Sequence, residues 1–163
     1  MSAEQIAEPI KLESGSFFRT NGYGYRAFHV GSDPWGTLVI HLPGDTPTLN
    51  SILSSLGRMQ GWKARKIAAD RLKKRYAKEL AIAIPGVRAF PHLPARLTIL
   101  SRRWNLADHD GFVGGAKYLI DALVKRGVLV DDSLKWIRRP NYEQLIDRKN
   151  RRTEIVVEYL RTT

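Results

Sequence analysis

ARLTILSRRWNLADHDGFVGGAKYLIDALVKRGVLVDDS, residues 95–133, changes character midway, and that change decides the fold. Its opening, ARLTILSRRW (95–104), predicts a core strand with Arg102 and Arg103 near its end. From about Phe112 to Arg126, Val113, Ala116, Ile120, Leu123 and Val124 supply one buried helical stripe, and Gly127 stops the helix in the expected C-terminal position. A strand that hands over to a helix sets the class.

The rest of the chain extends the same alternation. Thr37 to Leu42, TLVIHL, predicts a first core strand ended by Pro43-Gly44, and the loop PGDTPTLN follows. Residues 50–83 are helical in character, with a break expected at Gly57 or Gly61. After a Pro-punctuated loop and the quoted segment come a strand over Leu134–Leu145, a basic turn DRKNRR (147–152) and a strand over Thr153–Leu160. In that last strand Ile155, Val157 and Tyr159 share one face, opposite Val156 and Glu158. The order predicts a single α/β (α+β) domain, a mixed β-sheet flanked by helices. Its 163 residues suffice for one core and not comfortably for two. Residues 1–35 read as an N-terminal extension, partly disordered, with a hairpin centred on Asn21-Gly22; the domain proper is 36–163.

Composition narrows the chemistry. The absence of cysteine excludes a disulfide scaffold, a thiolate zinc site and a cysteine nucleophile. No apolar run is long enough to cross a membrane, and the acidic start MSAEQIAEPIKLESG lacks the apolar core of a secretory signal, so a cytoplasmic protein is expected. Twenty-seven Lys and Arg against sixteen Asp and Glu give a formal charge of +11, which suits a polyanion whose condensed counterions are released on binding. The most lopsided stretch is RMQGWKARKIAADRLKKRYAK (58–78), where Asp70 is the only acid. Ile67, Leu72, Tyr76 and Leu80 fit one side of its helix, leaving Lys63, Arg65, Lys66, Lys73 and Lys74 outside to meet phosphates. Arg102, Arg103, Arg138, Arg139 and the DRKNRR turn extend the set.

Against this background the acids of ADHDG stand out. If Asp108 and Asp110 lie in extended chain just past the second core strand, period two puts both carboxylates on one side and His109 on the other. Paired hard oxygens suit Mg²⁺, with Mn²⁺ as a substitute, and a third acid is sought in Asp131-Asp132 beyond the helix. Lys117 at the front of the helix is placed to reach a phosphate near the acids; the plainer alternative is an i, i+4 ion pair with Asp121. Spacing by itself leaves a metal site and ordinary loop acids both open.

The segment also resembles the RusA-like family of Holliday junction resolvases, whose signature is DxDN followed by a K-x-x-x-D-A-L-x-x-x-G-x-x-x-D-D helix and turn. Lys117, Asp121-Ala122-Leu123, Gly127 and Asp131-Asp132 fall at the family's relative spacing, and LPGDTPTLN is similar to its Pro-rich entry loop, with Pro47 and Asn50 as the matching residues. The likeness spans about residues 37–160. It departs at Gly111, where the family has Asn, and in the spacing from Asp110 to Lys117, about three residues longer than in the shortest members. The resemblance implies a homodimeric, Mg²⁺-dependent endonuclease, bacterial or phage-encoded, that resolves four-way DNA junctions by paired nicks. It implies Asp108, Asp110 and Asp132 as metal ligands, Lys117 as the catalytic lysine and Asn50 near the DNA. A non-catalytic binder of branched DNA, and a metal nuclease of other DNA substrates, are the alternatives.

Overall fold

The computed structural model describes residues 24–30, 36–57, 59–86 and 90–161. They form one mixed α+β domain with five strands and three helices: β1 (Arg26–Val30), β2 (Thr37–Pro43), α1 (Leu49–Ser55), α2 (Gly61–Ala83), β3 (Ala95–Arg103), α3 (His109–Lys125), β4 (Ile137–Ile146) and β5 (Arg152–Tyr159). The sheet order is β1-β2-β5-β3-β4, and only the β3–β4 pair is parallel. Within β2, β3 and β5 every second residue is buried while most of the intervening ones are half-exposed, so the helices cover one face. Leu38, Ile40, Leu97, Ile99, Ile155 and Val157 meet Leu72, Tyr76, Leu80, Phe112, Leu119 and Leu123 in a single core.

The break expected between the first helices is real and has a backbone cause. Gly57 and Gly61 have φ of 64° and 79°, in the left-handed region where a side chain is penalised. α2 buries Ala64, Ala68, Leu72, Tyr76 and Leu80, a row four residues apart, whereas Ile67 is only half-buried. The small alanines let the helix lie closely on its neighbours, which an Ile in that row would prevent.

At the N-terminal side, β1 lies inside the segment read as an extension. It pairs antiparallel with β2 from Arg26↔His41 to Val30↔Thr37 and buries Ala27, so the sheet begins before residue 36. The hairpin turn expected at Asn21-Gly22 lies outside the described residues.

β4 forms the opposite edge. Its register on β3 slips between Arg96↔Arg138 and Thr98↔Asn141, so Leu97 faces two residues, Arg139 and Pro140. Arg139 takes φ 48° and Pro140 has no N–H to offer a ladder, which together make a bulge on an edge strand.

Candidate active site and nucleic-acid interface

β3, α3 and β4 form a strand-helix-strand crossover, and the chain leaving β3 carries the acids. Around its carboxyl end the loop of residues 44–48 is built into the domain. Thr46 is fully buried: its N–H donates to Ser101 Oγ at 3.0 Å, and its hydroxyl lies 2.9 Å from that of Thr153. Arg103 holds the loop from beneath, donating to the Thr46 carbonyl at 2.7 Å, to Ser101 Oγ at 3.3 Å and to the Asn105 carbonyl at 3.2 Å. Its guanidinium also lies 5.9 Å from the Phe112 ring centre and 3.8 Å from Asp45. Arg103 is thus a buried strut, 7% exposed, and not the surface phosphate contact expected from the sequence. Period two explains it, since Leu97, Ile99 and Ser101 share its face.

Asp108 and Asp110 are not in extended chain. α3 begins three residues earlier than the apolar stripe predicts, with Asp108 as its N-cap: Asp108 Oδ2 accepts the Gly111 N–H at 2.7 Å. Asp110 follows in the first turn, where a negative charge is favoured by the helix dipole. Both carboxylates are exposed, as is His109. The chain just before them is clamped by a residue the sequence does not point to. Gln144 on β4 accepts the Ala107 N–H at 2.9 Å and donates to the Ala107 carbonyl at 3.1 Å. Gly111 is matched to the cap: an added Cβ would lie 2.8 Å from Asp108 Oδ2.

Asn50 stands exposed in the first turn of α1, whose start is capped by Thr48 accepting the Ser51 N–H at 3.0 Å. The loop that carries it touches α3 directly. A Cβ on Gly115 would fall 2.0 Å from the Pro47 carbonyl oxygen, so only glycine allows this approach. The Pro-rich loop, α1 and the acids therefore share one end of the sheet.

Lys117 is exposed on α3, seven positions beyond Asp110, hence on nearly the same stripe and about 10 Å further along. Among the described residues it makes no ion pair with Asp121. Asp132 is elsewhere. Residues 133–136 lie at the amino end of β3, where the Trp136 carbonyl accepts the Ala95 N–H, while Ala107 sits level with Gln144. The seven-residue interval from Ile137 to Gln144 spans about 23 Å at strand rise, so Asp132 does not join Asp108 and Asp110 within one chain. Among the described residues no group of three or more His, Asp or Glu side chains is arranged to hold a metal. A hydrogen bond from Ser133 holds the neighbouring Asp131 carboxyl below its usual range, the behaviour of a local turn cap.

The cations divide sharply. Lys63, Arg65, Lys66, Lys73 and Lys74 are all exposed on α2, with Trp62 beside them at 71% exposure. Arg138 and Arg139 are exposed on β4, at the end remote from Asp108. Arg102 is tied instead, 2.6 Å from Glu154 and 3.5 Å from Asp147. Burial pushes the Glu154 carboxyl up, but hydrogen bonds from Arg102 and Arg152 hold it below its usual range. No helix among the described residues is long and apolar enough to cross a membrane. No protein-family model matches this chain, and no curated protein matches it in sequence.

Proposed function

We propose that the protein is a Mg²⁺-dependent, structure-selective endodeoxyribonuclease, acting as a homodimer in the cytoplasm to nick four-way DNA junctions in pairs. The observation that carries this reading is the pair of exposed carboxylates at the carboxyl end of β3 in a chain of charge +11. Ligands of open sheets gather at the carboxyl ends of parallel strands, and acids exposed in so basic a chain invite a cation.

The donor set fits Mg²⁺, or Mn²⁺ in its place, which binds through one or two carboxylates together with waters and substrate phosphates. Asp108 commits one oxygen to the Gly111 N–H and keeps lone pairs for a cation, and Asp110 makes no such bond among the described residues. Such an ion would lower the pKa of a bound water and offset charge developing on the scissile phosphate. Gln144 fixes the backbone from which both acids project. Lys117, two turns along, reaches toward the phosphate next in line, and the α2 cations bind the arms through the backbone, reading shape and not sequence.

The separation of Asp132 makes the dimer part of the chemistry. β4 is an edge strand of ten residues, blunted by Arg139-Pro140 near its start but continuous from Asn141 to Ile146, where Leu145 and Ile146 are 45% and 56% exposed. An isologous antiparallel pairing of two such edges sets the carboxyl end of each β4 beside the amino end of the other. Asp132 of the partner subunit then comes to the end that bears Asp108 and Asp110. Two sites result, related by a two-fold axis like that of the junction.

The test is cleavage of a synthetic four-way junction beside matched linear duplex, with Mg²⁺ or chelator, for wild type and Asp110→Asn. Symmetrical paired nicks that need both Mg²⁺ and Asp110 are expected. Tight junction binding without cleavage favours the second reading, a non-catalytic binder of branched DNA, in which Asp108 and Asp110 serve only to start α3; that reading draws on the capping bond of Asp108. Equal cutting of linear duplex makes the protein a metal nuclease of broader substrate range.

A further inference from the structure

A groove of about 560 Å³ opens between α2 and α3, on the helix layer and well away from Asp108. Its floor is apolar, formed by Ala77, Leu80 and Ala122. Its rim is cationic: Lys73 and Lys74 stand on α2, and Lys125 on α3. One wall is the half-buried Tyr118 ring, with Lys73 Nζ 6.0 Å from its centre. Arg126 closes the far end with its guanidinium already engaged, donating to the carbonyls of Ile84 and Gly86. It therefore braces the groove instead of offering a free charge. Asp121 is the one acid of the lining.

This combination discriminates among anions. Bare phosphate would use the lysines and leave the apolar floor and aromatic wall unfilled. An acidic peptide would meet the lysines but has no flat group for Tyr118. A nucleoside phosphate uses every part: the phosphate between Lys73, Lys74 and Lys125, the base against Tyr118 over the alanine floor, and Asp121 to accept from a base amino group or a sugar hydroxyl. The geometry points to a nucleoside-phosphate site in the α2–α3 groove, filled by a free nucleotide or by one unstacked nucleotide of a bound strand.

The position is informative if a strand supplies the nucleotide. Asp110, Lys117, Asp121 and Lys125 recur on one side of α3, and the groove begins about 12 Å along the helix from Asp110. A strand running along α3 from the acids would deliver a base there two or so nucleotides on. The groove shares Lys73 and Lys74 with the cations proposed to bind the arms, but none of its residues belongs to the acid pair, so binding of the monophosphate there does not depend on cleavage.

The experiment is calorimetric titration of the full chain with deoxynucleoside monophosphate, inorganic phosphate and an eight-nucleotide single strand. The variants are Tyr118→Leu, Tyr118→Phe and Lys73→Gln, with Arg96→Gln, exposed on β3 on the face opposite the helices, as control. One saturable site per chain is expected, weakened about fivefold by Tyr118→Leu, which is the lower end of base–aromatic stacking, and similarly by Lys73→Gln. Tyr118→Phe and Arg96→Gln should bind as wild type, and phosphate should bind more weakly than the nucleotide. Tyr118-dependent binding of the monophosphate identifies a free nucleotide as sufficient; such binding of the oligonucleotide alone identifies the strand as the source. Loss in Arg96→Gln equal to that in Lys73→Gln, indifference to Tyr118→Leu, or no saturable binding overturns the proposal.

Discussion

Arg103 carries a charge into the interior, and its surroundings say what that charge is for. Among the described residues it donates to two backbone carbonyls in different loops and to Ser101 Oγ, and so ties Thr46 to Asn105. Arg103→Met leaves the Thr46 and Asn105 carbonyls without their donor and should cost about 2–3 kcal/mol of stability, as hydrogen bonds to a charged group in a buried setting do. Urea melts measure it, and Arg102→Gln on the half-exposed face should cost less. His41 titrates in the opposite environment, on the open sheet face between Arg26 of β1 and Glu154 of β5. Burial lowers its pKa; Glu154 pulls it up, and Arg152, Arg26 and Arg102 push it down. The folded state therefore takes the proton less readily than the unfolded chain. Stability from this group is whole at pH 7.5 and falls as pH drops through the unfolded value near 6.5. The fall levels off below the lowered folded value. Comparing urea midpoints of wild type and His41→Gln at pH 7.5 and 5.5 isolates it: the wild type should lose more stability on acidification than the variant.

At the scale of elements, α3 holds two adjacent glycines with opposite duties. Gly115 faces the Pro47 carbonyl, where a Cβ would sit 2.0 Å away, and the obstacle is backbone that cannot swing aside. A Cβ added at Gly114 would meet nothing within 4 Å beyond its own helix backbone. Gly114→Ala should stabilise by up to about 1 kcal/mol through helix propensity, whereas Gly115→Ala should destabilise by about 1–3 kcal/mol as an overpacked contact. Thermal melts of the two variants give the sign directly. The same helix shows what a sequence can and cannot disclose. Ala116, Ile120 and Leu123 of its apolar stripe and the stop at Gly127 were legible, because periodicity and chain reversal are local, but Val113 and Val124 are only half-buried, and Phe112 and Leu119 fill the core in their stead. Also legible were β2, β3, β5 and the break at Gly57 and Gly61. The start at Asp108 was not, since an acid two residues from another fits an extended strand as well as a capped helix, and the capping bond decides between them. Burial of Arg103 was implicit in the alternation of β3 but was overridden by its charge. The Gln144 clamp left no local trace, because its partner lies 37 residues away.

For the whole molecule, the distance from Asp132 to the other two acids turns the site into a question about assembly. Each chain supplies a full set of implied ligands but not within one site, because α3 carries the chain from the carboxyl end of β3 to its amino end before Asp132 is reached. If the β4 edges pair antiparallel, every site takes Asp108 and Asp110 from one subunit and Asp132 from its partner. Inactive variants then complement one another in a way that a site within one chain forbids. A mixed dimer of Asp110→Asn with Asp132→Asn would hold one site lacking both groups and one site wholly intact. Unfolding and refolding an equimolar mixture forms mixed and pure dimers in the ratio of about 2:1:1, so roughly half the dimers carry one working site. Neither variant alone should nick a labelled four-way junction, while the mixture should restore single nicks to about a quarter of the wild-type site count, without the paired second cut. If Asp132 instead acted within its own chain, each subunit of the mixture would lack one acid and no nicking would return. Adding Leu145→Lys to both variants places a charge on the pairing edge and should abolish the recovery while leaving each chain folded.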